Sequence, residues 1–310
     1  MNQDFFHTMN DYGLKAINQD GIGWKCTDFQ VRFPPQHQNV QPGMEYLMMP
    51  KPVFDNPNYK ASGKLLGKVA IITGGDSGIG RAVAVLFAKE GANLVIAYFN
   101  EDQDANYTKQ YVERLGAKCL LLKGDIKDRS FSKQIVRETL NTFGKIDVLI
   151  NNAGVQFQQK ELTNITDEQF DYTIKTNVYG MFYLTKEALP YLQPGASIIN
   201  VTSITTFKGE PELIDYVTSK GAIVGFTRSL ATNLASKNIR VNAVSPGVFW
   251  TPLQPACWEA SKIPTLGSDS PMKRAGETVE IAPIFLYLAS NDSTYTTGQV
   301  FHINGGEYKG

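Results

Sequence analysis

The sequence predicts an α/β fold: a doubly wound, seven-stranded parallel sheet with helices on both faces, preceded by an extended N-terminal arm. Three observations predict it. From Lys64 onward, short apolar runs rich in β-branched residues alternate with longer amphipathic stretches, the order of parallel strands joined by crossover helices. Runs such as VAIIT carry no polar alternation, because a strand covered by helices on both faces has no polar side. Before Lys64 the chain is dense in Pro, Gln and Asn and holds no sustained period of either kind. The expected organisation is an arm over residues 1–63 and one domain over residues 64–310.

The arm comes first. Proline and glutamine deny it regular structure, yet Phe33, Tyr46, Leu47, Met48, Met49, Phe54 and Tyr59 are too many large apolar groups for a solvated tail. The expectation is an ordered segment docked on the domain or on a neighbouring subunit. The candidate strands then follow at 68–73, 93–99, 119–125, 146–154, 197–203, 240–247 and 298–305. Helical stretches between them end at Gly91 and Gly144, glycines suited to the left-handed cap. Two further helices are expected over about 166–192 and 212–235. No internal repeat is visible.

Composition narrows the function. With 42% apolar residues, 19% charged residues and 30 Lys+Arg against 30 Asp+Glu, the chain can bury a large core and has no basic excess for nucleic acid. Cys26, Cys119 and Cys257 are scattered and odd in number, which suits neither a disulfide framework nor a Cys-x-x-Cys metal site. His7, His37 and His302 are isolated, so no metal is expected. The N-terminus lacks a basic region followed by an apolar one, and no uncharged apolar run approaches the ~18 residues of a membrane span. A cytoplasmic protein without a membrane partner is the expectation.

The chemistry begins where the first strand ends, at Thr73-Gly74-Gly75-Asp76-Ser77-Gly78-Ile79-Gly80. Its spacing, T-G-x-x-x-G-x-G, differs from the G-x-G-x-x-G fingerprint, but the physics is shared. Glycines allow a tight turn and close backbone approach, and the following helix aims free N–H groups at a pyrophosphate. Tyr216 and Lys220 are four apart, so on a helix they share one face and their heads can converge. Any amphipathic helix can carry such a pair as surface decoration. Its order and spacing with Ser203 and the glycine loop favour a catalytic reading.

Five motifs in order (the glycine loop, Asn151-Asn152-Ala153-Gly154, Ser203, Tyr216 with Lys220, and Pro246-Gly247) make residues 64–308 resemble the short-chain dehydrogenase/reductase family. The leader, with the stretch ASGKLLGKVAIITGGDSGIGRA, resembles its N-terminally extended general-stress or glucose/ribitol-dehydrogenase-like subgroup. The resemblance implies a Rossmann-like fold, an NAD or NADP cofactor, a small alcohol or carbonyl substrate such as a polyol, sugar or ketone, and a homotetramer. It implies that Tyr216 exchanges a proton with the substrate oxygen and that Ser203 stabilises that oxygen. Lys220 holds the nicotinamide ribose, and Asn177 holds a water that links the lysine to solvent. The nearby ammonium and an oxidised nicotinamide overhead are both expected to favour the Tyr216 phenolate.

The same resemblance assigns the cofactor contacts. Gly74, Asp76, Ser77, Gly78, Ile79 and Gly80 form the phosphate loop, and Asp125 with Ile126 contacts the adenine. Asn152, Ala153 and Gly154 pack against the adenosine. Pro246 and Gly247 steer Val248 to the carboxamide, with Thr251 near the phosphates. At the end of the second strand Tyr98 stands in the position of the ribose-binding aspartate, followed by Phe99 and Asn100, with Glu101 and Asp102 close by. Neither sign of charge is diagnostic, so the choice between NAD and NADP stays open. Gln156, Phe157, Thr205, Phe207 and the segment 253–272 are expected to line the substrate pocket, with Cys257 and Trp258 in a partly apolar lid. Two rivals are a dinucleotide-binding scaffold without turnover, which has no need of Tyr216 with Ser203, and a sugar-nucleotide epimerase, whose G-x-x-G-x-x-G loop is absent.

Overall fold

The computed structural model describes Phe29 and residues 32–310. Residues 1–28, with Cys26 and His7, lie outside the described residues, as do residues 30 and 31. The strands are β1 (Val69–Thr73), β2 (Asn93–Tyr98), β3 (Cys119–Lys123), β4 (Ile146–Asn151), β5 (Leu192–Val201), β6 (Arg240–Pro246) and β7 (Val300–Ile303). They form one parallel sheet in the order β3-β2-β1-β4-β5-β6-β7. The order reverses between β1 and β4, and at such a switch point the chain leaves neighbouring strands in opposite directions and opens a crevice at their carboxyl ends.

Helices α1 (Gly78–Lys89), α2 (Asp102–Arg114), α3 (Arg129–Phe143), α4 (Asp167–Ile174), α5 (Gly180–Ala188), α6 (Thr205–Lys208), α7 (Ile214–Leu234), α8 (Leu253–Cys257) and α9 (Thr278–Ala289) complete the domain. Alternate residues of each central strand face opposite layers. Ala70, Ile72, Leu94 and Ile96 pack with α1 and α9 around Phe87 and Phe285, whereas Ile71, Val95 and Leu149 pack with α3, α5 and α7 around Ile135, Leu184 and Leu234. Both faces are therefore apolar, which is why these runs show no period of two. Gly144 ends α3 at φ 76°, and its N–H donates to the Leu140 carbonyl at 2.8 Å, the expected left-handed cap.

The expected helix over 166–192 is not continuous. A π turn over Lys175–Tyr179 separates α4 from α5, and a 3-10 turn over Leu189–Tyr191 follows, with Pro190 unable to continue the ladder. The apolar surplus expected on this helix and on α7 divides in two. Met181, Leu184 and Ile223 belong to the buried interior, while Phe170 and Phe182 are exposed. Phe182 meets Phe226 edge to face at 6.3 Å between ring centres, in a surface aromatic cluster that includes Tyr179 and Tyr183.

The described part of the arm runs over the domain with one short 3-10 turn, Glu45–Leu47. Its anchors are specific. Phe33 stacks on Trp250 with ring centres 3.9 Å apart, Phe54 meets Tyr111 edge to face at 5.1 Å, and the Pro50 carbonyl accepts the Trp250 indole N–H at 2.9 Å. Of the seven apolar residues expected to dock, Phe33, Met48 and Phe54 are buried and Tyr59 is partly so. Tyr46, Leu47 and Met49 face outward, because the turn directs Glu45 and Met48 inward in their place. Among the described residues no helix is long and apolar enough to cross a membrane.

Candidate active site

The glycine loop leaves β1 at the switch point. Gly74 (φ 63°) and Gly78 (φ 51°) occupy the left-handed region, and a side chain on Gly74 would sit 3.1 Å from the Asn152 amide nitrogen and 3.2 Å from Ala153 Cα. The turn after β4 is joined to this loop. Asn152 donates its amide to the Thr73 and Gly74 carbonyls at 3.0 Å each, while the backbone N–H groups of Asn152 and Ala153 both donate to Thr73 Oγ1 at 3.0 Å. Gly80 lies behind the loop, where a Cβ would come 2.9 Å from Asn152 Nδ2. The result is a backbone cradle at the N-terminus of α1, with the partial positive charge of the helix behind it.

A continuous cleft runs from this cradle to the carboxyl ends of β5 and β6. Gly74, Asp76, Ser77, Gly78, Ile79, Tyr98, Asp125, Ile126, Asn152, Ala153 and Gly154 line it, and so do Ser203, Tyr216, Lys220, Pro246, Gly247, Val248 and Thr251. Asn100, Gly80 and Asn177 do not line it. Asn100 donates its backbone N–H to Glu101 at 2.8 Å and turns outward. Of the expected substrate-pocket residues, Gln156, Thr205, Leu253, Gln254 and Trp258 line the cleft, whereas Phe157, Phe207 and Cys257 do not. Phe207 instead packs edge to face on His302, 4.6 Å between ring centres.

At the inner end α7 presents Tyr216 and Lys220 to Ser203, which follows β5. All three are buried. Lys220 Nζ donates to the Val201 carbonyl at 2.9 Å and lies 5.5 Å from the Tyr216 ring centre. Burial pushes the Tyr216 phenol up to about 12 against the lowering effect of a Ser203 hydrogen bond, and burial pulls Lys220 down to about 8. Among the protein's own groups burial sets the direction at Tyr216, and the oxidised nicotinamide of the expectation is a separate contribution. At neutral pH the pair stands as a phenol beside an ammonium.

Asn177 sits in the π turn between α4 and α5, and its side chain is fully engaged. Its amide donates to the Val155 carbonyl and to Ser219 Oγ at 2.9 Å each, and its carbonyl accepts the Val155 N–H at 2.8 Å. Gly154 explains why the residues can meet. A Cβ there would lie 3.2 Å from Asn177 Oδ1 and 3.4 Å from Lys220 Nζ, so a side chain would wedge between them.

The outer end is acidic. Asp76 and Glu101 line the cleft and are buried; burial, with the charge of Glu101, pushes the Asp76 carboxyl up to about 8. Tyr98 donates its hydroxyl to Asp102 at 2.9 Å. Among the described residues the lysines on the cleft wall are Lys208 and Lys220, and no arginine lines it. Sequence reasoning missed Pro42 and Gly43 of the arm, which line the same cleft, and also Lys208 and Glu210. The signal available was a single Pro-Gly step in an aperiodic segment, which marks a turn and says nothing of what the turn covers.

The family model described as enoyl-(acyl carrier protein) reductase matches residues 74–307. The glucose and ribitol dehydrogenase of Daucus carota is 44% identical over 281 residues, covering 89% of this chain and 97% of that protein. The NADPH-dependent aldehyde reductase 1 of Arabidopsis thaliana, a chloroplastic protein, is 46% identical over 278 residues, covering 87% and 96%. A crystal structure of a short chain dehydrogenase from Burkholderia cenocepacia in complex with NADP superposes with TM-score 0.74 at 28% identity, covering 79% of this chain and 99% of that one. With the glycine loop, the joined turn after β4 and the Ser203, Tyr216 and Lys220 cluster on one cleft, the chain belongs to the short-chain dehydrogenase/reductase family of oxidoreductases, in its glucose/ribitol-dehydrogenase-like subgroup.

Proposed function

We propose that the chain transfers a hydride between a nicotinamide dinucleotide and a small alcohol or carbonyl compound. The observation that carries this is the single cleft joining a phosphate cradle to a buried phenol, hydroxyl and ammonium. The cradle fits the cofactor because its glycines leave no side chain between a pyrophosphate and the N-terminus of α1. When bound, the cofactor supplies the hydride donor or acceptor.

The protein's own groups handle the oxygen. Tyr216 holds a transferable proton on Oη and gives it to the carbonyl oxygen in reduction; in oxidation it first loses that proton to solvent, and the phenolate oxygen then takes the alcohol's proton. Ser203 hydrogen-bonds the same oxygen as its charge changes. Lys220 keeps a positive charge beneath the site and holds the ribose hydroxyls. Asn177 is a positioning residue, since its amide fixes Val155 and Ser219 on either side of the cluster.

The reading covers both dinucleotides. The end of the second strand carries Tyr98 in the ribose position with neither an ionised aspartate nor an arginine there, which favours neither dinucleotide over the other. The relatives' names favour NADPH and an aldehyde or polyol. Residues 64–310 form the catalytic domain. The aromatic surface around Phe182 and Phe226 suits the contact of a homo-oligomer, most simply a tetramer.

The test is absorbance at 340 nm. Purified protein is mixed with NADPH or NADH and a panel of aldehydes and ketones, and with the oxidised forms and polyols or sugars. Carbonyl-dependent loss of absorbance supports the reading. A folded protein inactive on the whole panel, with no dinucleotide binding by fluorescence, overturns it.

A further inference from the structure

We infer that residues 36–45 of the arm form a strap that makes up one wall of the dinucleotide cleft, with Glu45 as a positioning residue for the phosphate loop and Gln41 as a tie across the mouth. The inference rests on the dinucleotide reading above.

Three walls of the cleft come from the domain: the glycine loop, the loop after β4 and the segment after β6. The strap touches all three. Gln41 donates its amide to the Gln156 and Ala256 carbonyls and accepts the Gln156 N–H at 3.2 Å, so one side chain ties the loop after β4 to the segment after β6. The Gln38 N–H donates to the Pro255 carbonyl at 2.8 Å, a second tie to that segment. Pro42 and Gly43 then line the cleft itself. Gly43 has no room for a side chain, because a Cβ would overlap the Pro252 carbonyl oxygen and lie 2.9 Å from Ala256 Cβ.

Glu45 completes the strap at the cradle. One carboxylate oxygen accepts the Gly78 N–H at 2.6 Å, the first N–H of α1, and the other pairs with Arg81. Arg81 in turn donates to the Asp76 carbonyl at 2.7 Å and pairs with Asp104 at 3.2 Å, while Asp104 accepts the Glu45 N–H at 2.7 Å. Glu45, Arg81 and Asp104 are all buried. Apolar side chains brace a segment without the desolvation cost of three buried charges. What the carboxylate adds is directional: it fixes the orientation of Gly78 and, through Arg81, of Asp76, two loop residues that line the cleft.

Pro42 and Gly43 line the cleft that the cradle opens into, so a dinucleotide held on the cradle would meet the strap, and its release would be governed by the strap's movement. Opening the strap should therefore act on cofactor release before it acts on the proton-transfer step.

The experiment uses the full-length chain and nicotinamide fluorescence. NADPH and NADH affinities and stopped-flow release rates are measured for wild type, Gln41→Ala, Gly43→Val, Glu45→Ala and Glu45→Gln, with Leu47→Ser as an exposed arm control. Gln41 is half-buried and Gln41→Ala introduces no clash, so it keeps the test valid if Gly43→Val fails to fold. Release should quicken about tenfold or more in Gln41→Ala and Gly43→Val, raising the cofactor KM while kcat holds or rises, with the control unchanged. Glu45→Gln, which keeps an acceptor for Gly78, should recover part of the affinity lost in Glu45→Ala. Folded variants that release both dinucleotides at the wild-type rate overturn the strap alone. A folded wild type that binds neither dinucleotide overturns the dinucleotide reading, and the strap with it.

Discussion

The glycine loop and the strap meet at Gly78, yet they are ordered by opposite means. The loop is an extension of regular structure: β1 sets its start, α1 its end, and the turn after β4 joins it through Thr73 and Asn152. The strap has no ladder and little period. Side-chain amides and carboxylates hold it, and stacked rings hold the arm just before it, to distant residues, such as Gln41 on Gln156 and Phe33 on Trp250. A site wall can therefore be as well determined by scattered tertiary anchors as by a sheet, but only the sheet leaves a pattern in the sequence.

The sharpest way to separate the two regions is to remove chemistry from one of them. Tyr216→Phe should lower kcat by about 10³-fold, since general acid–base groups contribute roughly 10²–10⁴-fold. NADPH affinity should stay close to wild type, because the ring volume is kept. A kcat within a factor of three or so of wild type, measured at 340 nm, would remove Tyr216 from the mechanism.

Stability should distinguish the regions next. Phe285 is fully buried between α9 and the sheet, and Phe285→Ala should cost about 3–5 kcal/mol in denaturant unfolding. Phe33→Ala should cost less, about 1–3 kcal/mol, because the arm can settle over Trp250. Equal losses would show that the arm and sheet unfold as one unit with no local give.

The pH dependence probes the inner end of the cleft. Lys220, pulled down to about 8, is charged below that pH and loses its proton as pH rises through it. Tyr216, pushed up to about 12, remains a proton donor throughout. The kcat/KM for carbonyl reduction should thus stay level to about pH 8 and then fall by up to about tenfold per unit. Alcohol oxidation, in which Tyr216 must first lose its proton, should mirror this, rising with pH up to about pH 8 and levelling off above it. A reduction profile that climbs through pH 8 would contradict this assignment.

The smallest effect on the fold belongs to the surface aromatics. Phe182→Asp should change unfolding free energy by no more than about 0.5 kcal/mol while lowering the mass seen by light scattering. An unchanged mass, or a wild-type monomer at micromolar concentration, would take this face out of the assembly.

The legibility of the sequence follows the same division. The seven strands, the cradle and the Ser203, Tyr216 and Lys220 cluster were readable because each depends on local period or fixed spacing. The break at Lys175–Tyr179 was not, since a π turn arises from how Asn177 is drawn to Val155 and Ser219 rather than from a breaker residue. Glu45 was invisible for a related reason. In a Pro- and Gln-rich stretch an acid reads as a solvated charge, and only the fold brings it to Arg81 and the Gly78 N–H.

The central claim is that the cradle and Tyr216 serve one hydride transfer. The most direct test follows the atom itself. The enzyme is given NADPH carrying deuterium at nicotinamide C4, in either stereochemical position, with an aldehyde that the 340 nm screen has shown to be accepted. Mass spectrometry of the alcohol should find one deuterium on the new carbinol carbon from one of the two labelled cofactors, with the hydroxyl proton drawn from solvent through Tyr216. Product without deuterium from either labelled cofactor would contradict the account.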